Sequence, residues 1–206
     1  VDFFYDLEIF DNKNLKIKKN YSVVIMAGGQ GTRLKPFTNI LPKALIPLGD
    51  KTIIERIVDK VKVFNPKKFY ISLNYKSKII KSFFEELNSN LKYKFVYEKK
   101  PLGTAGSLYK LKKSKENTFL VSNCDTILDV NFNEIYSYHV KNKNLITVVG
   151  AYKKFQIPYG KFITDKNGTF INIHEKPHQH FLINTGTYFV EKKVFSLIKN
   201  NHFLNF

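Results

Sequence analysis

The chain has 206 residues, 43% of them hydrophobic and 25% charged, which is enough for one α/β-sized domain with a real core. No apolar run is long enough to span a bilayer, Val1 to Phe10 lacks the basic start of a signal peptide, and the single Cys124 excludes an intrachain disulfide and fits the cytoplasm. The net charge of +17 raises a nucleic-acid reading, but the lysines are scattered without a block, so a solvated basic surface that attracts anionic substrates is expected, with no nucleic-acid or membrane partner.

Residues 1–20 have no clear period and end in the basic stretch Lys16 to Lys19, so they read as a linker from an upstream module. Tyr21 to Met26 is a β-branched apolar run that meets glycines at once, a buried strand. Ile53, Ile54, Ile57, Val58, Val61 and Phe64 recur at helical spacing and predict an amphipathic helix over 52–64. A strand over 68–73 follows, then a helix marked by Ile79, Ile80, Phe83, Phe84 and Leu87, with Ser77 as its expected N-cap. Next come a strand over 93–97, a glycine-bearing turn, a helix near 104–111, a strand over 118–122, a helix over 133–140 and a strand over 145–151. Strands that alternate with helices imply right-handed βαβ units and a Rossmann-like, mostly parallel sheet flanked by helices. From Gly160 the pattern changes: 160–164 and 169–173 flank the turn signal Asp165-Lys166-Asn167-Gly168, then come a strand over 181–190 and a helix from Lys192.

The loop Ala27-Gly28-Gly29-Gln30-Gly31-Thr32-Arg33-Leu34 stands at the carboxyl end of the first strand, where open α/β sheets bind ligands. Glycines let backbone N–H groups approach phosphate oxygens with no Cβ in the way. A dinucleotide fingerprint would need a third glycine where Leu34 stands, and a P-loop needs a Gly-Lys-Ser/Thr that this loop lacks. A plain tight turn would leave Arg33 and Lys43, two flanking cations, without a role.

The run Gly28 to Thr38 followed by Pro42-Lys43 resembles the signature of sugar-1-phosphate nucleotidylyltransferases. The resemblance continues through Leu102-Gly103-Thr104-Ala105-Gly106, Asn123-Cys124-Asp125, Tyr159-Gly160, Glu175-Lys176-Pro177 and Asn184-Thr185-Gly186. It covers about 21–203 and is nearest the bacterial branch that resembles mannose-1-phosphate guanylyltransferases, with the nucleotide-diphospho-sugar transferase fold. It implies in-line attack of a sugar-phosphate oxygen on the α-phosphate of an NTP, with pyrophosphate leaving and an NDP-sugar formed for surface-polysaccharide synthesis. Such a reaction needs no protein nucleophile. A phosphate monoester with second pKa of about 6 is already largely dianionic, so the protein must bring polyanions together and neutralise charge.

On this resemblance Ala27, Gly28, Gly29, Gly31, Thr32, Arg33, Glu98, Gly103 and Thr104 would bind the nucleotide, and Tyr159, Gly160, Glu175, Lys176 and Asn184 the sugar phosphate. Arg33 would hold the β- and γ-phosphates, Lys43 the α-phosphate, Lys176 the sugar's phosphate and Asp125 the Mg²⁺. Thymidylyl and uridylyl members of the family commonly carry glutamine where Glu98 stands. A carboxylate only accepts, and guanine offers two adjacent donors, so Glu98 leans toward GTP. His174-Glu175-Lys176-Pro177-His178 matches the H-E-x-x-H zinc pattern, but Pro177 and the strand-like run before it exclude the helix that pattern requires.

The family completes its metal site with a second aspartate, and none follows Asp165 here. Phe203, Leu204 and Phe206 read as an uncovered apolar tail prone to self-association. The expectation is therefore a catalytic domain over 21–206 with its C-terminal part missing and a half-built metal site. The alternative is a catalytically deficient nucleotide-binding regulatory module. The resemblance also admits upstream cystathionine-β-synthase-type domains and a homo-oligomer.

Overall fold

The computed structural model describes residues 19–87 and 91–206; the linker reading of residues 1–20 lies almost wholly outside them. Strand β1 (Tyr21–Met26) is buried at all six positions. After it come a 3-10 turn (Thr32–Leu34), α1 (Phe37–Ile40), a second 3-10 turn (Lys43–Leu45) and a ribbon of β2 (Pro47–Leu48) with β3 (Lys51–Thr52). None of these short elements has the length to give a sequence period. Helix α2 (Ile53–Lys62) starts from a capping box. Thr52 Oγ1 accepts the Glu55 N–H at 3.3 Å, and the Glu55 carboxylate takes the Thr52 N–H at 2.8 Å, together worth about 1 kcal/mol.

Strand β4 (Phe69–Leu73) leads to α3 (Ser77–Glu86). The expected cap moves by one residue. Lys76 is the N-cap, in the left-handed region at φ 50°, and Ser77 already lies inside the first turn. The Lys76 ammonium reaches the carbonyls of Asn39 and Ile40, both at 2.6 Å, and ties the helix start to the end of α1. Next are β5 (Tyr93–Tyr97) and α4 (Gly103–Gly106). The helix expected over 104–111 is divided: past Gly106, a poor helix former, it tightens to a 3-10 turn over Ser107–Leu111. Strand β6 (Thr118–Asn123), α5 (Phe132–Lys141), β7 (Ile146–Gln156), β8 (Lys161–Thr164), β9 (Phe170–His174), β10 (His178–Glu191) and α6 (Lys192–Phe195) complete the order. Strands β7 and β10 outrun their expected bounds by several residues.

The main sheet has the order β5-β4-β1-β6-β10-β7. Strands β5, β4, β1 and β6 are parallel, and β10 runs antiparallel to β6. Alternate side chains of β1 go to opposite faces. Val23 and Ile25 pack with Ile54, Ile57 and Val58 of α2, Ile80 and Phe84 of α3, and Tyr136 of α5. Val24 and Met26 pack with Leu108, Leu111, Phe195 and Ile198 on the other face. Both faces are covered, which is why these strands read as continuous apolar runs.

Packing divides the chain into two compact units. One takes in the described residues up to Val149 together with Gly186–Phe206, and the other is Gly150–Thr185. In the second, β8 and β9 pair as an antiparallel hairpin. Asp165 accepts the N–H groups of Asn167 and Thr169, both at 2.8 Å, and Gly168 takes φ 85°. The Thr169 N–H, first among these donors, holds the Asp165 carboxyl below its ordinary range. The last aspartate of the sequence is thus a turn residue, as expected.

Candidate active site

The carboxyl ends of β1, β5 and β6 open into one cavity of about 350 Å³. Going along the sheet from β1, the chain moves first to β4 and β5 on one side and then to β6 on the other. The cavity therefore sits at the point where strand order reverses, the ligand crevice of open α/β sheets. Its lining includes Gly28, Gly29 and Gly31 after β1, Glu98 after β5, Asn123 at the end of β6 with Cys124 and Asp125 just past it, Gly103 and Thr104 of α4, and Lys43.

Close packing, more than ligand approach, explains two of the loop glycines. A Cβ on Gly28 would lie 3.1 Å from Glu98 Oε1 and 3.2 Å from Asn74 Cβ. Gly31, in the left-handed region at φ 62°, leaves room for Lys43 and Thr38, and Thr38 Oγ1 donates to the Gly31 carbonyl at 3.0 Å. The turn thereby sets the place of Lys43, whose ammonium pairs with the Asp125 carboxylate across the cavity floor. Both side chains keep solvent contact, 26% for Lys43 and 36% for Asp125, so each remains within reach of a ligand.

Glu98 is buried and held twice. Its Oε1 accepts Ser72 Oγ at 2.5 Å, and its Oε2 accepts the Leu102 N–H at 3.0 Å. Glu98 lines the cavity with its carboxylate fixed in orientation by these two bonds. Cys124 also lines the cavity, but burial, then the Asp125 charge, push its thiol up to about 12. It is a neutral packing group there, not a nucleophile.

The structure places three expected features away from where the sequence alone suggested. Arg33 lies exposed in the Thr32–Leu34 turn, and neither it nor Thr32 is among the residues that line the cavity. Ala27 is buried behind the loop, with its N–H on the Ser72 carbonyl at 3.0 Å, so it shapes the loop from below. The tail does not hang free. Leu204 N–H donates to the Leu102 carbonyl at 2.9 Å, and Phe206 stacks on Tyr188 with ring centres 4.1 Å apart. Phe203 reaches the cavity lining. The role of the tail was hidden because its partners lie about a hundred residues earlier in the chain.

The unit Gly150–Thr185 carries the other predicted group. A Cβ on Gly160 would lie 3.0 Å from Glu175 Oε2, and the Ile157 N–H donates to the Pro177 carbonyl at 3.0 Å, so 157–160 and 175–177 run side by side. Tyr159, Glu175 and Lys176 are exposed, and Lys176 takes a left-handed φ of 45°. Asn184 is an exposed position of β10. His174 ends β9 and His178 opens β10, so the H-E-x-x-H run lies on no helix. Among the described residues no three acidic, histidine or cysteine side chains gather as a metal cluster.

The cavity gathers a glycine loop and a cation–carboxylate pair at the sheet's switch point, and a family model described as Nucleotidyl transferase matches residues 22–203. The chain belongs to that family. Among its relatives, the D-glycero-alpha-D-manno-heptose 1-phosphate guanylyltransferase of Campylobacter jejuni is 30% identical over 174 residues, covering 84% of this chain and 77% of that protein. The mannose-1-phosphate guanyltransferase of Yarrowia lipolytica is 35% identical over 187 residues, with 85% and 50% covered. The bifunctional protein GlmU of Methanococcus aeolicus is 32% identical over 178 residues, and the chain spans only 41% of its length. The crystal structure of HddC from Yersinia pseudotuberculosis complexed with GMP-PN matches with a TM-score of 0.69 at 27% identity, covering 90% of this chain and 83% of that one. No helix among the described residues is long and apolar enough to cross a membrane.

Proposed function

We propose that this protein transfers a guanylyl group from GTP to a sugar 1-phosphate, releasing pyrophosphate and forming a GDP-sugar for surface-polysaccharide synthesis in the cytoplasm. The observation that carries the reading is the cavity itself, which collects the glycine loop, Lys43, Asp125 and Glu98 in one place. The heptose and mannose guanylyltransferases among its relatives, and the GMP-PN complex of HddC, support the choice of GTP.

The chemistry follows from charge. Lys43 sits at the floor, where an α-phosphate would arrive, and its present partner Asp125 is a stand-in for that anion. NTP phosphates compete for the lysine and free the carboxylate. Asp125 alone is a modest metal site, suited to Mg²⁺, which takes few protein oxygens and fills its shell with phosphate and water. Bound there, Mg²⁺ would neutralise charge on the phosphates. Arg33, on its exposed turn, would meet the β- and γ-phosphates outside the cavity, Lys176 would hold the sugar's phosphate and Glu175 the sugar hydroxyls.

Base choice rests on Glu98. Each carboxylate oxygen already takes one donor and has capacity for a second, and guanine presents N1–H and the 2-amino group as adjacent donors. Uracil and thymine offer one donor between two acceptors. Glu98→Gln keeps an oxygen for the Leu102 N–H and places an NH₂ toward the Ser72 hydroxyl, which can accept it, so the fold tolerates the change. Calorimetry with GTP, UTP and dTTP is expected to show wild type preferring GTP and Glu98→Gln losing about tenfold of that preference, on the scale of a bidentate base contact. A wild type that ignores GTP, or a preference that does not move, defeats the GTP reading.

A further inference from the structure

The last residues of the chain are built into the loop that borders the cavity. The Leu204 carbonyl accepts the N–H groups of Ala105 at 2.9 Å and Gly106 at 3.2 Å, and its own N–H goes to Leu102. Asn205 Oδ1 accepts the Thr104 N–H at 3.0 Å. The Phe206 N–H donates to Thr104 Oγ1 at 3.0 Å. The glycines of this loop are fitted to the strap. A Cβ on Gly103 would overlap the Leu204 carbonyl oxygen and come within 2.6 Å of Asn205 Oδ1, and one on Gly106 would overlap the His202 carbonyl oxygen. Thr104, expected from the sequence to bind nucleotide, has both its N–H and its hydroxyl engaged by the strap, while Gly103 and Thr104 remain on the cavity wall and Phe203 at its rim.

From this we propose that Asn205 is a positioning residue of the nucleotide site. It rests on the nucleotide reading above. Leu102 hangs between two restraints: its N–H is on Glu98, the base-reading carboxylate, and its carbonyl is on Leu204. Asn205 fixes the next turn of the same loop through Thr104. The strap thus sets the distance between the loop and Glu98, and with it the width of the slot that receives the base. Without the Asn205 acceptor, Thr104 turns to water, the loop loosens against Glu98, and the base must order it on binding.

The test has two arms on the whole protein. In the nucleotide-free protein, amide hydrogen exchange at Thr104 is slow in wild type, faster in Asn205→Ala, and slow again in Asn205→Asp, which restores an acceptor. In the second arm, Asn205→Ala raises the Kd and KM for GTP about fivefold, the scale of one backbone hydrogen bond, leaves kcat at saturating GTP within twofold, and Asn205→Asp recovers the affinity. GTP binding in Asn205→Ala that is unchanged or tighter overturns the proposal, the tighter result marking the strap as an obstruction. A wild type that binds no nucleotide fails the underlying reading as well, whereas wild-type binding with an indifferent Asn205→Ala fails this proposal alone.

Discussion

Lys43→Ala is expected to lower turnover about a hundredfold while leaving the protein folded. A preorganised donor aimed at developing charge is worth roughly 10²–10³ in rate. Lys43 is placed for that role: it lines the cavity, held there by the Gly31 turn, with its ammonium paired to the Asp125 carboxylate. Its contribution to stability is small by comparison. The pair keeps a quarter to a third of its surface in water, and such pairs contribute about 0–1 kcal/mol. Steady-state kinetics with a melting curve separates the two effects. A variant that keeps wild-type kcat removes Lys43 from the chemistry, and one that is simply unfolded shows the same loss in its circular dichroism.

Gly31→Ala should injure the same lysine through the backbone. Gly31 is held at φ 62°, where a residue with a Cβ is disfavoured by about 1–2 kcal/mol. The added Cβ would also lie 2.9 Å from both Lys43 Cβ and Thr38 Cγ2. Thr38 is buried and bonded to the Gly31 carbonyl, so the lysine is the group that yields. The expected outcome is a melting point lower by about 5 °C and at least a tenfold loss of turnover. Gly29→Ala is the control for the melting point, because a Cβ there meets no protein atom within 4 Å. Equal melting points for the two variants would contradict this account of the loop.

The sheet and its helices were legible because burial on both faces leaves a plain mark in sequence. Tyr21–Met26 and Thr118–Asn123 are apolar runs, and α2 carries its core residues at helical spacing. The short elements between β1 and α2 left no period, so the two 3-10 turns and the β2–β3 ribbon went unread. Of the site, the glycine loop, Lys43, Glu98 and Asp125 were readable as chemistry, and folding brings them to one cavity. What sequence could not give was the support behind them. Ser72 and the Leu102 N–H orient Glu98 from 26 and 4 residues away. The Phe203–Phe206 strap grips Thr104 from about a hundred residues away through backbone and Asn205 contacts, while Phe203, Leu204 and Phe206 stay exposed as the sequence suggested. Arg33 was assigned from its motif, and it stands on an exposed turn outside the cavity lining.

The most direct test of the central claim is pyrophosphate release by the complete polypeptide with Mg²⁺, screening GTP, UTP and dTTP against mannose, glucose, glucosamine and heptose 1-phosphates. The account predicts release that requires both substrates, is fastest with GTP, and matches the GDP-sugar formed mole for mole. Nucleotide binding at Gly28–Gly31 with no pyrophosphate from any pair would contradict it and leave a nucleotide-binding regulatory module in its place.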